Sequence, residues 1–344
     1  MITPIRCGVD TLEATFGGEL DFWVEKEFSK RKIKAQIANA PEPIRMCCED
    51  LSVCEKGAGF WEYVVRNRDL MLKVSLAENV PPMGIRLMAE GLASRGVTAL
   101  WSKTRELGAE LGLTPSNLTR IDVAVDFQGW TPTFEEMQSV VCKSGFRPIY
   151  PSTNAPETFQ FGKGQVVMRL YNKTKEITVT NKGWWHNVWK LCGYDPSLPV
   201  WRLEVQLRST ALKELDRRSV DTALSDIYGL FCYGLDWCSL RVPNGDSNLR
   251  RAPEHQAWID LREQFKPARA LGRIRPVVRV MGYDAAVARL AGLYATAGAA
   301  SGLSDYDELC GALKTDVLIF IHNRREMGFA DLVEEKRRRM DSGE

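Results

Sequence analysis

Three runs of strict alternation constrain this chain more than any other feature. In residues 119–127, Ile121, Val123, Val125 and Phe127 alternate with Arg120, Asp122, Ala124 and Asp126. In residues 201–208, Leu203, Val205 and Leu207 alternate with Arg202, Glu204, Gln206 and Arg208. The run 166–173 places Tyr171 between Arg169 and Lys173 at two-residue spacing. Side chains at i and i+2 share one face of a strand. Each run therefore predicts a strand with its apolar face on a core and its polar face free to build a site.

The rest of the chain supplies the layer such strands need. Residues 10–16 alternate and close on Gly17-Gly18, a strand and turn signal. Residues 19–36 are patterned as a helix, 61–65 and 70–75 as strands, and 84–112 as a helix or helix pair. Thr133 and Glu136 have capping-box spacing and predict a helix running to about Cys142. Residues 158–161 and 166–173, joined by Gly162-Lys-Gly164, read as a hairpin. Residues 210–240 are helical in pattern, 242–255 are polar and proline-bearing, and the pattern from 258 onward is helical. The fold class expected is α+β: an antiparallel central sheet with helices covering one face, followed by a helical C-terminal region. The expected division is a catalytic domain at 1–240, a linker at 241–257 and a helical region at 258–344.

Composition narrows the chemistry. The formal net charge of +2 over 344 residues excludes a globally basic coat, so any nucleic-acid surface must come from local clustering. Nine cysteines include no CxxC pair, and the histidines at 186, 255 and 322 stand far apart. Zinc spacings are therefore missing. A metal would rest on carboxylates and amides, which suits Mg²⁺ or Mn²⁺. No apolar leader and no run of about 18 apolar residues occurs, so a soluble, cytoplasmic protein is expected, without a membrane partner.

If the three polar faces adjoin, they bring together two or three acids, several cations and one tyrosine. Transesterification of a phosphodiester uses such a set. A phenol can be a covalent nucleophile, carboxylates such as Asp122 and Glu204 can hold a divalent ion that polarises the phosphate, and arginines can clamp its oxygens. On spacing alone Tyr171 equally reads as a strand tyrosine packed on a neighbour. Asp122 and Asp126 equally read as solvated, and Glu204 with its arginines as a surface ion-pair ladder. Trp184-Trp185-His-Asn-Val-Trp189 reads either as a platform for unpaired bases or as a hydrophobic anchor. Nine Arg/Lys against four Asp/Glu between 241 and 279, Arg273 among them, form the strongest local basic excess, equally a solvated helix face.

In their order and spacing, Thr119-Arg-Ile-Asp-Val-Ala-Val-Asp, Arg169-Leu-Tyr-Asn-Lys-Thr-Lys-Glu and Trp201-Arg-Leu-Glu-Val-Gln-Leu-Arg resemble the replication initiation factor family. This family comprises rolling-circle initiators of plasmids and filamentous phages and related relaxases. The resemblance spans about residues 8–240. It implies a site-specific nickase and strand transferase in which Tyr171 becomes a 5′-phosphotyrosine and frees a 3′-OH primer. Asp122 and Glu204, with Asp126 and Gln206, would hold Mg²⁺ or Mn²⁺. Lys173 and Arg169 would assist the tyrosine. From the residues themselves, Arg202, Arg208, Arg120 and Glu176, with Trp185 of the aromatic cluster and Arg273 of the basic stretch, are expected to contact phosphate or DNA. The partners implied are a single-stranded or hairpin DNA origin and host helicase and polymerase, with a homodimer left open. A relaxase acting on a transfer origin and a non-catalytic origin-binding protein are the alternative readings.

Overall fold

The computed structural model describes residues 2–145, 149–152, 155–263, 283–325 and 328–342. In chain order the first elements are β1 (Thr3–Gly18), α1 (Phe22–Ala38), β2 (Glu42–Met46), β3 (Glu49–Val53), β4 (Tyr63–Arg66), β5 (Leu70–Val74) and β6 (Met83–Leu87). Next come α2 (Ala89–Arg95), α3 (Val97–Glu110), β7 (Leu113–Gln128), α4 (Phe134–Gln138), β8 (Val140–Cys142), β9 (Ile149–Ser152), β10 (Ala155–Phe161) and β11 (Val166–Asn172). The chain continues through α5 (Lys173–Val179), α6 (Trp185–Lys190), β12 (Trp201–Arg208), α7 (Ser209–Glu214), α8 (Val220–Leu224), α9 (Ile227–Trp237), β13 (Cys238–Leu240) and α10 (Gln256–Glu263). It closes with α11 (Tyr283–Ser301), α12 (Tyr306–Arg325) and α13 (Phe329–Ser342).

The fold is α+β, as the alternation implies. An antiparallel sheet runs in the order β2-β3-β4-β5-β6-β1-β7-β12-β11-β10-β9, and β8 pairs separately with β13. β1 and β7, each 16 residues long, form its spine. The alternating positions do what their chemistry requires. Leu12, Ala14 and Phe16 of β1, Ile121, Val123 and Val125 of β7, and Leu203, Val205 and Leu207 of β12 enter one core with Val24 and Phe28 of α1, Leu100 and Leu107 of α3, and Leu230 and Phe231 of α9. Each such side chain contributes about 1.5–3 kcal/mol through burial. α9 approaches β12 so closely because position 234 is glycine: a Cβ there would lie 2.4 Å from a Val205 methyl.

Three local readings shift. The capping box at Thr133 and Glu136 is present, but α4 stops at Gln138 and β8 follows, because the β-branched pair Val140-Val141 pairs with β13. The start of the expected helical region 84–112 lies in β6, a strand of only five residues whose alternation is too brief to stand out. The strand bearing Tyr171 ends at Asn172, whose side chain caps α5, so Lys173 opens a helix instead of continuing the strand.

The chain divides into two compact units, 1–273 and 274–344. α10 lies in the first, with Trp258 fully buried in the core and its indole nitrogen donating to the Cys238 carbonyl at 2.9 Å. The second unit comprises α11, α12 and α13. Arg273 and the whole of the 241–279 basic stretch beyond Glu263 lie outside the described residues. Among the described residues no helix is long and apolar enough to cross a membrane.

Candidate active site

β12 sits between β7 and β11, and its register decides which polar side chains meet. Across β7 it sets Arg202 opposite Asp126, Glu204 opposite Ala124, Gln206 opposite Asp122 and Arg208 opposite Arg120. Across β11 it sets Arg202 opposite Tyr171 and Glu204 opposite Arg169. The three polar faces thus form one surface, in two layers of different character.

The deep layer is an ion-pair cluster centred on Arg202, which is 1% exposed. Its Nε and Nη2 donate to Asp126 at 2.5 and 2.8 Å, and its Nη1 donates to Asp10 Oδ1 at 2.5 Å. Trp189 Nε1 completes Asp126 at 2.9 Å. The Trp185 ring carries Arg202 at 4.5 Å, Arg6 at 4.9 Å and Lys173 Nζ at 5.2 Å from its centroid. α5 and α6 close over this end of the polar face through Ile177, Trp185 and Trp189, which pack with Ile5 and Val200. Arg202 is bonded to two carboxylates, Asp126 to Arg202 and Trp189, and Trp185 is buried beneath cations, which differs from the open phosphate, metal and base-stacking positions expected of them.

The second layer lies beside the first and holds Arg169, Tyr171, Glu204, Gln206, Arg120 and Asp122, of which Asp122, Glu204 and Gln206 are buried. Arg169 Nη1 donates to Glu204 Oε1 at 2.9 Å and Gln206 Oε1 at 3.1 Å, and its Nε donates to Gln160 at 3.2 Å. The Tyr171 hydroxyl donates to Glu204 Oε2 at 3.3 Å. Arg120 forks onto Asp122 through Nε at 2.8 Å and Nη2 at 2.5 Å. Lys173, though helical, returns its Nζ to 5.5 Å above the Tyr171 ring and pairs with Glu176 at 2.7 Å. Lys182 also binds Glu176, at 3.2 Å. Glu176 is therefore a lysine partner instead of a phosphate contact. Arg208 is exposed at the edge of the set. Beside Glu204 the register row continues into Ala124 and Gly8, and a Cβ at Gly8 would touch nothing within 4 Å. Small residues thus keep the floor beside the tyrosine low.

Burial first and the Glu204 carboxylate second hold the Tyr171 phenol well above its ordinary pKa, against the pull of Arg202. The tyrosine rests neutral, with Glu204 accepting its hydrogen bond. Burial, reinforced by Glu204 and opposed by Arg120, pushes the Asp122 carboxyl up to about 7. Burial also lowers the Lys173 amine, with Arg202 adding to the effect.

Asp122, Glu204 and the Gln206 amide are hard oxygen donors of the kind Mg²⁺ accepts, one or two carboxylates being its usual protein share. Arg120 forks onto Asp122, and Arg169 donates to both Glu204 and the Gln206 amide oxygen, so these oxygens would take an ion once the arginines turn away. Among the described residues no three His, Cys, Asp or Glu side chains form a closed cage.

Asp10, Trp189 and Gln160 escaped the sequence reading as site residues. Asp10 reaches the polar face through a bulge in which Val9 pairs with Val123 and Thr11 with Asp122, leaving Asp10 as the extra residue. Simple alternation with Leu12 and Ala14 would send it into the core, and only its charge signals otherwise.

Comparison with known proteins gives distant similarities. No protein-family model matches the chain. An uncharacterised protein of Pseudomonas phage Pf1, ORF430, is 23% identical over 248 residues, which is 62% of this chain. The aligned part makes up 56% of that relative, so the chain spans about half its length. Among solved structures, a rolling circle replication initiator protein from Geobacillus stearothermophilus is similar with 17% identity and a TM-score of 0.47, covering 80% of this chain and 99% of its own.

Proposed function

We propose that this chain is a metal-dependent DNA nicking and joining enzyme that initiates rolling-circle replication, with Tyr171 as the nucleophile. The observation that carries the proposal is the Tyr171 hydroxyl donating to Glu204 within a polar surface that also holds Asp122, Arg169 and Arg120 on adjoining strands. The sequence resemblance supplies the substrate.

The neutral phenol needs a base, and Glu204 is in position to be one. As Tyr171 Oη bonds to phosphorus, its proton passes to Glu204. The phosphorus–O3′ bond breaks, and the departing oxygen takes a proton from water to become a 3′-OH, leaving a 5′-phosphotyrosine. Attack by a 3′-OH on that linkage reverses the step and rejoins the strand. Arg169 and Arg120, paired with carboxylates in the free protein, are placed to move onto non-bridging phosphate oxygens. Mg²⁺ or Mn²⁺ held by Asp122 and Glu204, with the Gln206 amide oxygen, would supply Lewis acidity at the phosphate. Lys173 and the Arg202 cluster act as positioning groups beneath the tyrosine.

The test is incubation with single-stranded candidate origin DNA and Mn²⁺, scored for a covalent protein–DNA band. Tyr171→Phe should lose the band and keep DNA affinity. An undiminished adduct in that variant would remove the central claim.

A further inference from the structure

The register places one row of side chains across the polar face of the sheet, beginning at Arg120 beside Asp122 and running away from the site. Arg208 of β12 stands opposite Arg120 of β7, Arg120 opposite Glu13 of β1, and Glu13 opposite Arg86 of β6. Arg86 stands opposite Met71 of β5, and Met71 opposite Arg66 of β4. Four arginines and a single carboxylate thus share a line of six strands, about 24 Å long at ~4.8 Å per strand. The neighbouring row adds Lys73, opposite Gly84. These positions alternate with Leu72, Ile85, Leu12 and Val65, which face the core, so the cations point to the other side.

Two features bear on what this row can hold. Arg208 and Arg120 stand directly opposite each other; Arg120 is held by Asp122 and lies 3.7 Å from Glu13, whereas Arg208 is exposed. The side chains of Arg66, Lys73 and Arg208 have no hydrogen-bond or ion-pair partner among the described residues, and Arg86 reaches Glu13 only at 3.7 Å. Aromatic surface adjoins the row. Trp61 lies over Gly84, where a Cβ would come within 2.9 Å of the indole, and Phe60 packs on Trp61 at 4.6 Å while remaining 58% exposed. The glycine is what lets the ring come this close to the sheet.

We infer that this face is a single-stranded DNA track leading from the Arg120–Arg208 edge of the site across β7, β1 and β6 to β4. Its cations bind successive phosphates, and Trp61 with Phe60 stacks bases at the far end. Spaced cations beside aromatic platforms are the means by which proteins hold unpaired strands without reading sequence. The inference deepens the proposed nicking function by naming how the substrate strand lies, and it moves the expected DNA contacts from the Trp184–Trp189 segment to the β4–β6 half of the sheet.

The test is fluorescence anisotropy with fluorescein-labelled dT20 over a range of NaCl concentrations, carried out in the Tyr171→Phe chain so that no cleavage intervenes. For single strands log K falls with log salt by about 0.7 per phosphate neutralised, a factor of about 5 per contact at 0.1 M salt. The double variant Arg66→Ala/Lys73→Ala should therefore bind about 25-fold more weakly there, with a slope shallower by about 1.4. Lys213→Ala, which removes a cation of α7 outside the row, should bind as the parent does. An Arg66→Ala/Lys73→Ala chain with unaltered affinity and slope overturns the track. So does dT20 binding no tighter than a 20-base-pair duplex, or weaker than rU20. The measurement is independent of chemistry: a track confirmed in a chain whose native Tyr171 forms no covalent adduct would refute the nuclease reading and leave the DNA surface standing.

Discussion

Replacing Arg202 by methionine separates a structural arginine from a phosphate clamp. The guanidinium supplies two of the three hydrogen bonds that reach Asp126 and the ion pair to Asp10. Methionine retains the apolar stem but strands two carboxylates, one of them 1% exposed, beneath α5 and α6. Removing one partner of a buried ion pair costs about 3–5 kcal/mol. All ten tryptophans lie between residues 23 and 258, so urea unfolding followed by tryptophan fluorescence reports on the first compact unit. With a urea m-value of about 3 kcal/mol/M the midpoint should fall by roughly 1–1.7 M. Burial alone would raise the Asp10 carboxyl, yet Arg202 and Lys173 hold it below its ordinary value of 3.8. A depressed carboxylate contributes stability above its unfolded pKa and loses it as pH falls, so the penalty should be largest near neutrality and shrink toward pH 4 and below. Adding Asp126→Leu to Arg202→Met should recover part of the loss, because it removes one stranded charge. A midpoint displaced by less than about 0.3 M, together with lost DNA affinity, would refute the reasoning and return Arg202 to the phosphate.

Two further outcomes follow from the packing and the electrostatics. Asp122 has a carboxyl raised from 3.8 to about 7, so the folded chain retains a proton that the unfolded chain releases, and stability contributed by this residue declines as pH rises from about 4 to 7. Asp122→Asn should therefore gain stability relative to the native chain across that window in urea titrations at stepped pH, and a difference that does not vary with pH would contradict the assignment. Gly234→Ala should lower stability by up to about 2 kcal/mol, because overpacking against both Val205 methyls outweighs the roughly 1 kcal/mol gain in helix propensity; a stabilised variant would show that α9 can draw back from β12.

What was legible in the sequence is what alternation encodes. β7, β11 and β12 each have a side-chain period of two over seven or more residues, and the structure places them side by side. Asp122, Glu204, Gln206, Arg169 and Tyr171 share a face for that reason. What was not legible depends on contacts between distant segments. Nothing local to Arg202 says that α6, with Trp185 and Trp189, will bury it, and a strand pattern alone cannot distinguish a clamp awaiting a ligand from one already occupied. Lys173 was assigned to the strand because it continued the two-residue spacing. The competing signal was Asn172, a good helix cap, and the cap prevailed. The arginine row across β4–β12 was invisible for a different reason: its members come from strands as far apart in sequence as Arg66 and Arg208, and only the register aligns them.

The bulge at Asp10 has a bearing on how this chain can evolve. Between Val9 and Thr11 the strand carries one residue more than its partner β7, and that surplus residue supplies a carboxylate to Arg202 while Leu12, Ala14 and Phe16 stay in the core. Loss or gain of one residue here would invert every side chain on one side of the break, exchanging site and core together. Descendants of this sequence can therefore vary the identity of neighbouring residues in β1 far more freely than the spacing between Val9 and Leu12.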